Sequence, residues 1–205
     1  METPAKWFPE LTEEQCAWFT AMEGLYREWN ARINVISRKD MDNLMTHHIL
    51  HSLAIAKVFT FPAGSTVLDV GTGGGFPGIP LAVLFPEVRF TLCDSIGKKI
   101  KVAQVVADGL GLDNVTCVNA RAEALPGKFD FVVSRAVTDL ATFLPWVKGK
   151  YAKAVFYLKG GDLREEIAQC ARRCRIDPGK FYVAEISRWF DDPWFAEKKI
   201  VTISQ

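Results

Sequence analysis

Apolar positions recur along the chain at two different periods, and the change from one to the other divides it near Pro62-Ala63-Gly64. Upstream, Trp18, Phe19, Met22, Leu25, Tyr26 and Trp29 fall at helical spacing behind the capping-box pair Thr12 and Gln15, which predicts a helix from about Glu13 to Asn30. A second apolar-periodic stretch predicts another helix over Leu44 to Val58. Downstream the pattern turns into short buried runs: Thr66 to Val70, Arg89 to Cys93, Val115 to Val118, Phe129 to Val133 and Ala154 to Leu158. Helical stretches separate most of these runs, so they read as strands of a parallel sheet. Two later runs, Phe181 to Ile186 and Lys199 to Ile203, have no obvious helix between them and predict an antiparallel hairpin at the sheet edge. The expectation is an α/β fold with seven strands, in which residues 1–62 form a helical extension packed on a main domain of residues 63–205.

The run Asp69-Val70-Gly71-Thr72-Gly73-Gly74-Gly75-Phe76-Pro77-Gly78-Ile79-Pro80 follows the first predicted strand and opens a helix. Glycines let the backbone turn tightly and approach a ligand, and such a loop at the carboxyl end of a first strand is where Rossmann-like sheets bind nucleotide cofactors. Asp94 ends the next strand 23 residues after Gly71, near the spacing at which a carboxylate accepts hydrogen bonds from ribose hydroxyls. The dinucleotide fingerprint wants glycine at the sixth position of its loop, where this chain has Phe76, so the fit to a nicotinamide cofactor is poor. Gly71-x-Gly73-x-Gly75 preceded by Asp69 instead resembles the first motif of S-adenosylmethionine methyltransferases, a structural glycine turn being the remaining reading.

More of the chain carries a narrower resemblance. Trp29-Asn30 with Asn34, His48-Ile49-Leu50 before Ser52, the loop Asp69 to Pro80, Asp94-Ser95 with Gly97-Lys98-Lys99, Ser134-Arg135-Ala136 and Leu158-Lys159-Gly160 together are similar to the bacterial ribosomal RNA small-subunit methyltransferase G family, also called glucose-inhibited division protein B. The resemblance implies a Rossmann-like seven-stranded S-adenosylmethionine-dependent methyltransferase fold. It further implies formation of 7-methylguanine in the 530 loop of 16S rRNA, with free rRNA or the small ribosomal subunit as partner. On matching positions it implies that Gly71 and Phe76 line the methionine and adenosine pocket, that Ala122 and Glu123 flank the adenine and that Arg135 closes the site. The family usually carries aspartate at the position of His51, and Lys-Arg where this chain has Lys98-Lys99; the second change keeps the charge and loses a planar fork.

Composition narrows the function classes. The chain has 205 residues, 49% of them hydrophobic and 24% charged, enough for one well-buried core. A net charge of +1 argues against binding nucleic acid through bulk electrostatics, so local patches would have to serve. The candidates for RNA contact are Lys98, Lys99, Arg121, Arg172 and Arg173, each with solvated surface as the competing reading. No apolar run approaches the roughly 18 to 20 residues of a membrane helix, and Met1 to Pro9 lacks an apolar signal core, so a cytoplasmic protein without membrane contact is expected, as a monomer. Five cysteines without a C-x-x-C pair suit reduced, buried thiols. His47, His48 and His51 are the only histidines; no carboxylate motif accompanies them, so no metal is expected, and contact with RNA, a cofactor lid or simple packing stay open as their roles. Trp189-Phe190 and Trp194-Phe195 read as core, with base stacking the alternative.

The chemistry follows from what is missing. Methyl transfer from a sulfonium is an in-line displacement that mainly needs positioning. No cysteine ends the fourth or fifth predicted strand, which excludes a pyrimidine adduct, and Ser134-Arg135-Ala136-Val137 stands where exocyclic amine methylases carry Asp or Asn with Pro-Pro. Guanine N7 needs no proton removed, which suits a site without an obvious base. Arg135 is therefore expected to position cofactor, phosphate or the guanine O6 edge. Two other readings remain, a methyltransferase of the same fold acting on a small molecule or protein, and a cofactor-binding regulator.

Overall fold

In the computed structural model, which describes residues 3–205, every predicted run becomes a strand: β1 (Thr66–Val70), β2 (Arg89–Asp94), β3 (Val115–Asn119), β4 (Phe129–Arg135), β5 (Tyr151–Gly160), β6 (Phe181–Glu185) and β7 (Lys198–Ser204). They form one sheet in the order β3-β2-β1-β4-β5-β7-β6. The first five strands pair in parallel, while β7 pairs antiparallel with both β5 and β6 and leaves β6 at the edge. Chain order reverses between β1 and β4, and the carboxyl ends of those strands define the crevice where open α/β sheets take ligands.

The long helices are α1 (Glu13–Asn30), α4 (Gly78–Leu84), α5 (Gly97–Leu110), α6 (Leu140–Trp146) and α7 (Arg164–Cys174), with short α2 (His51–Leu53) and α3 (Ile55–Val58) between. The Thr12 hydroxyl accepts the Gln15 amide and the Gln15 side chain returns the bond to the Thr12 amide, so α1 starts where its capping box predicts. The stretch expected as one helix over Leu44 to Val58 begins instead as a wider π-helical turn, Leu44–Leu50, a winding often met at functional positions. That turn carries His47 and His48.

Both faces of the inner strands are covered. On one face Phe19, Met22 and Tyr26 of α1 join Val67, Phe90, Phe131 and Phe156 of the sheet in a single cluster with α4 and α5. On the other face Leu68, Val132, Val155 and Tyr157 pack with Leu140 and Phe143 of α6 and Cys170 of α7. The extension thus completes one layer of the core, and truncating fully buried Phe19 or Met22 to alanine is a loss of the roughly 2–5 kcal/mol class. Phe190 and Phe195 are buried in the same cluster, with Trp189 and Trp194 packed partly buried against it.

Candidate active site

The glycine loop is held from below and from the side. Asp69, fully buried near the end of β1, accepts the Thr72 hydroxyl at 2.6 Å and the Gly78 amide at 2.8 Å, both on Oδ2. A Cβ at Gly78 would stand 2.7 Å from that oxygen, which explains glycine there. From the side, the Tyr26 hydroxyl of α1 donates to the Gly74 carbonyl at 2.8 Å. Asn30 accepts the Val35 and Ile36 amides and donates to the Ile36 carbonyl, folding the segment after α1 so that Val35 presses on Gly74, where a Cβ would lie 2.8 Å from its Cγ2.

Burial pushes the Asp69 carboxyl up to about 7 from an ordinary 3.8, although the bonds from Thr72 and Gly78 oppose it. Between those values the unfolded chain has released a proton that the folded one keeps, so this group's contribution to stability falls as pH rises through the window. Asp69→Asn is neutral throughout and still offers an oxygen to Thr72 and Gly78. Its melting temperature is expected to gain on wild type as pH rises from about 4 to 7, by the equivalent of a few kcal/mol. A difference that stays constant across that range would contradict a protonated Asp69.

Above the carboxyl ends of β1, β2 and β4 opens a cavity of about 560 Å³, lined by Gly71, Asp94, Lys99, Arg121, Ala122, Glu123 and Arg135, together with Ala136, Val137 and Trp146. Gly71 has φ +68°, and a Cβ there would lie 2.5 Å from Val137 Cγ2, so only glycine lets the wall close. The Asp94 carboxylate accepts the Ile96 amide on one oxygen (2.8 Å) and the Gly73 amide on the other (2.9 Å). Each oxygen keeps a second lone pair, so two neighbouring hydroxyls of a ribose still find acceptors. Cys93 also lines the wall, but burial pushes its thiol up to about 12 and excludes it as a nucleophile at neutral pH. The donor set suits a ribose-bearing cofactor with a cationic head: a bidentate carboxylate, a second acid at Glu123 and a glycine cradle.

Arg135, the last residue of β4, borders the cavity and is fixed by the extension. Its guanidinium lies 5.0 Å from the Phe76 ring, donates to the His47 carbonyl at 3.1 Å and reaches His48 Nδ1 at 2.9 Å. A guanidinium only donates, so His48 Nδ1 accepts, its proton sits on Nε2, and Nε2 donates to Asp40 at 2.7 Å. Burial, then the Arg135 charge, lowers the His48 pKa to about 4, which keeps the ring neutral for this role. The second Asp40 oxygen takes His47, whose ring stacks on Trp194 at 4.1 Å. Burial lowers the Arg135 pKa to about 10, so the guanidinium stays charged with three of its five donors uncommitted to the extension.

The family described as rRNA small subunit methyltransferase G matches residues 16–186. The chain belongs to this family. A ribosomal RNA small subunit methyltransferase G of Christiangramia forsetii is 51% identical over 98% of this chain and 95% of its own length. One of Bacteroides thetaiotaomicron is 49% identical over 98% of both chains. Among solved structures, magnesium protoporphyrin IX methyltransferase of Synechocystis with bound S-adenosylmethionine superposes with TM-score 0.58 over 95% of this chain and 98% of that one, at 14% identity. A SAM-dependent methyltransferase from Aquifex aeolicus gives 0.57 over 82% and 98%, at 18% identity. These two likenesses establish the methyltransferase fold.

Against the family pattern, the structure sorts the residues singled out in the sequence. Gly71, Asp94, Ala122, Glu123 and Arg135 share one cavity wall, and Lys99 and Arg121 join them, with exposed Lys98 beside Lys99. Asp69, Gly73 and Phe76 are not on that wall. Asp69 lies under the loop, Gly73 bonds Asp94 through its amide, and Phe76 is buried between Tyr26 and Arg135. A Cβ at Gly73 meets no protein atom within 4 Å, and its left-handed backbone (φ +57°) opposes any L side chain there. Arg172 and Arg173 lie exposed in the last turn of α7, Arg172 pairing with Glu165 at 3.3 Å, and neither borders the cavity. Among the described residues no His, Cys, Asp or Glu cluster is placed to hold a metal, and no helix is long and apolar enough to cross a membrane. Asp40 went unnoticed in the sequence, because its partners are seven and eight residues away across an irregular turn.

Proposed function

We propose that the protein transfers the methyl group of S-adenosylmethionine to N7 of a guanine in the 530 loop of 16S rRNA. The observation that carries this reading is the single cavity joining a ribose-type carboxylate, Asp94, to a rigidly held guanidinium, Arg135, in a chain of the methyltransferase G family. Asp94 would take the ribose hydroxyls, Ala122 and Glu123 would border the adenine, and Gly71 would let the cofactor lie against the loop. S-adenosylmethionine supplies a methyl carbon already activated by its sulfonium. The protein's own task is then to hold the purine in line at about 3 to 3.5 Å and to exclude water. Guanine N7 attacks with a free lone pair and leaves no proton to remove, which agrees with a site whose neighbouring histidine, His48, is committed to Arg135 and Asp40 and is not free to act as a base. The free donors of Arg135 suit the O6 edge or a phosphate. An rRNA substrate implies action in the cytoplasm.

Lys99 and Arg121 form the basic side of this cavity, with exposed Lys98 next to Lys99 in the chain, and all three are assigned to RNA phosphates. Alanine at Lys98 and Arg121 is expected to weaken binding of small-subunit rRNA and to flatten its salt dependence by up to about one slope unit per contact. Alanine at Arg172 and Arg173 should do so less, since Arg172 is already paired. Unchanged salt slopes in the first variant would remove this patch from RNA binding. Wild-type protein that methylates no rRNA, free or in subunits, would transfer the reading to a small-molecule or protein substrate.

A further inference from the structure

A second cavity, of about 290 Å³, adjoins the first and shares Ala136 and Val137 with it. Its wall also carries His51, Thr138, Lys159 and Lys198. We propose that this cavity seats the nucleotide being methylated and that Lys198 binds its phosphodiester. The proposal rests on the rRNA reading above and adds a site and a residue to it.

Three observations converge on it. The rim between the cavities is rigid, because the Tyr157 hydroxyl accepts the Val137 and Thr138 amides and donates to the Thr138 carbonyl at 2.8 Å. A ligand resting on that rim is held at a fixed distance from the cofactor cavity, which is what an in-line transfer demands of its acceptor. Next, of the two lysines on the wall only one is free for an anion. Lys159 is bound by Glu166 at 2.6 Å and by the Thr138 carbonyl, whereas Lys198, half-buried, has no carboxylate partner among the described residues and rests 4.3 Å from the Trp194 ring. A partly desolvated ammonium left without a counter-charge favours an incoming anion, and phosphate is the anion an RNA brings. Finally, the other walls suit a base. Val137 and Leu158 are apolar, and His51, buried and with Nε2 unpartnered, has its pKa held well below the ordinary value by burial and by the Arg135 and Lys198 charges, so it adds no competing cation.

The register of β7 supplies a control. Lys198 and Lys199 are successive residues of this strand, and Lys199 borders a different cavity beside Asp162 and Leu163. Lys198→Met keeps the alkyl stem against Trp194 and removes only the charge, so wild-type melting is expected. Single-turnover methyl transfer from labelled S-adenosylmethionine to small-subunit rRNA, run across salt concentrations, is the readout, with cofactor affinity measured by calorimetry. In Lys198→Met the half-saturating RNA concentration should rise about 10-fold, and the salt slope should shrink by about 0.7, the single-strand value for one phosphate. Cofactor affinity and the rate at saturating RNA should hold. Lys198→Arg should recover most of the loss, and Lys199→Met should match wild type. Equal RNA dependence and salt slope in Lys198→Met and wild type would overturn the proposal while leaving the rRNA reading intact; a wild-type protein inactive on all RNA would overturn both.

Discussion

Gly71→Val should abolish measurable S-adenosylmethionine binding, at least a 100-fold loss, while the chain still folds. Two costs act at one position. A left-handed backbone at φ +68° penalises an L residue by roughly 1–2 kcal/mol, and a β-branched one more. The new Cβ also falls 2.5 Å from Val137 Cγ2, so Val137 or the loop must shift, and both border the cavity assigned to the cofactor. Val137 is 37% exposed and gives way outward, which spares the core. The check is calorimetric titration with the cofactor beside a thermal melt. Near-wild-type affinity in a folded variant would detach the glycine loop from the cofactor.

Arg135→Ala should slow methyl transfer at saturating rRNA by roughly 100-fold, the usual scale for losing a group that fixes reacting geometry. Its signature is specific. A phosphate contact would appear mainly as weaker RNA binding and a flatter salt slope, whereas Arg135 stands at the carboxyl end of β4, held by His48 and the His47 carbonyl, and should leave the slope nearly unchanged. Removing it also leaves His48 Nδ1 without its donor and relieves a charge that disfavours His48 protonation. Arg135→Lys keeps the charge without the two-pronged donor and should fall between alanine and wild type. A variant with wild-type single-turnover rate would make Arg135 a structural strand-end cation only.

The sheet was readable because its signals are local. The capping box at Thr12, the alternation of periods at Pro62 to Gly64 and the glycine loop each act within a few residues, and all lie where the structure places the matching element. Two strands run one or two residues past their apolar runs, to Asn119 and Arg135, where polar residues end the apolar pattern before the strand itself ends. The site was legible to the depth of a linear motif. Gly71, Asp94 and Arg135 end up on one wall, but a motif does not say which of its members border the cavity, and Asp69 and Phe76 are buried behind it. What joins the extension to the site had no local signal at all. Arg135 and His48 are 87 residues apart, Tyr26 and Gly74 are 48 apart, and Trp194 meets His47 only through the fold. The histidine cluster marked the place, and only the tertiary contacts reveal that its business is with Arg135 and Asp40.

Methylation of a guanine N7 in small-subunit rRNA can be located directly, since reduction followed by aniline cleaves the RNA chain at N7-methylguanosine. Unmethylated 16S rRNA, free and within small subunits, would be incubated with purified protein and S-adenosylmethionine and then cleaved in this way. The expected result is cleavage at one guanine of the 530 loop, with incorporation of one methyl group per rRNA, and neither with the Gly71→Val protein. Absence of transfer to either form of the RNA, or incorporated methyl that yields no cleavage, would contradict it.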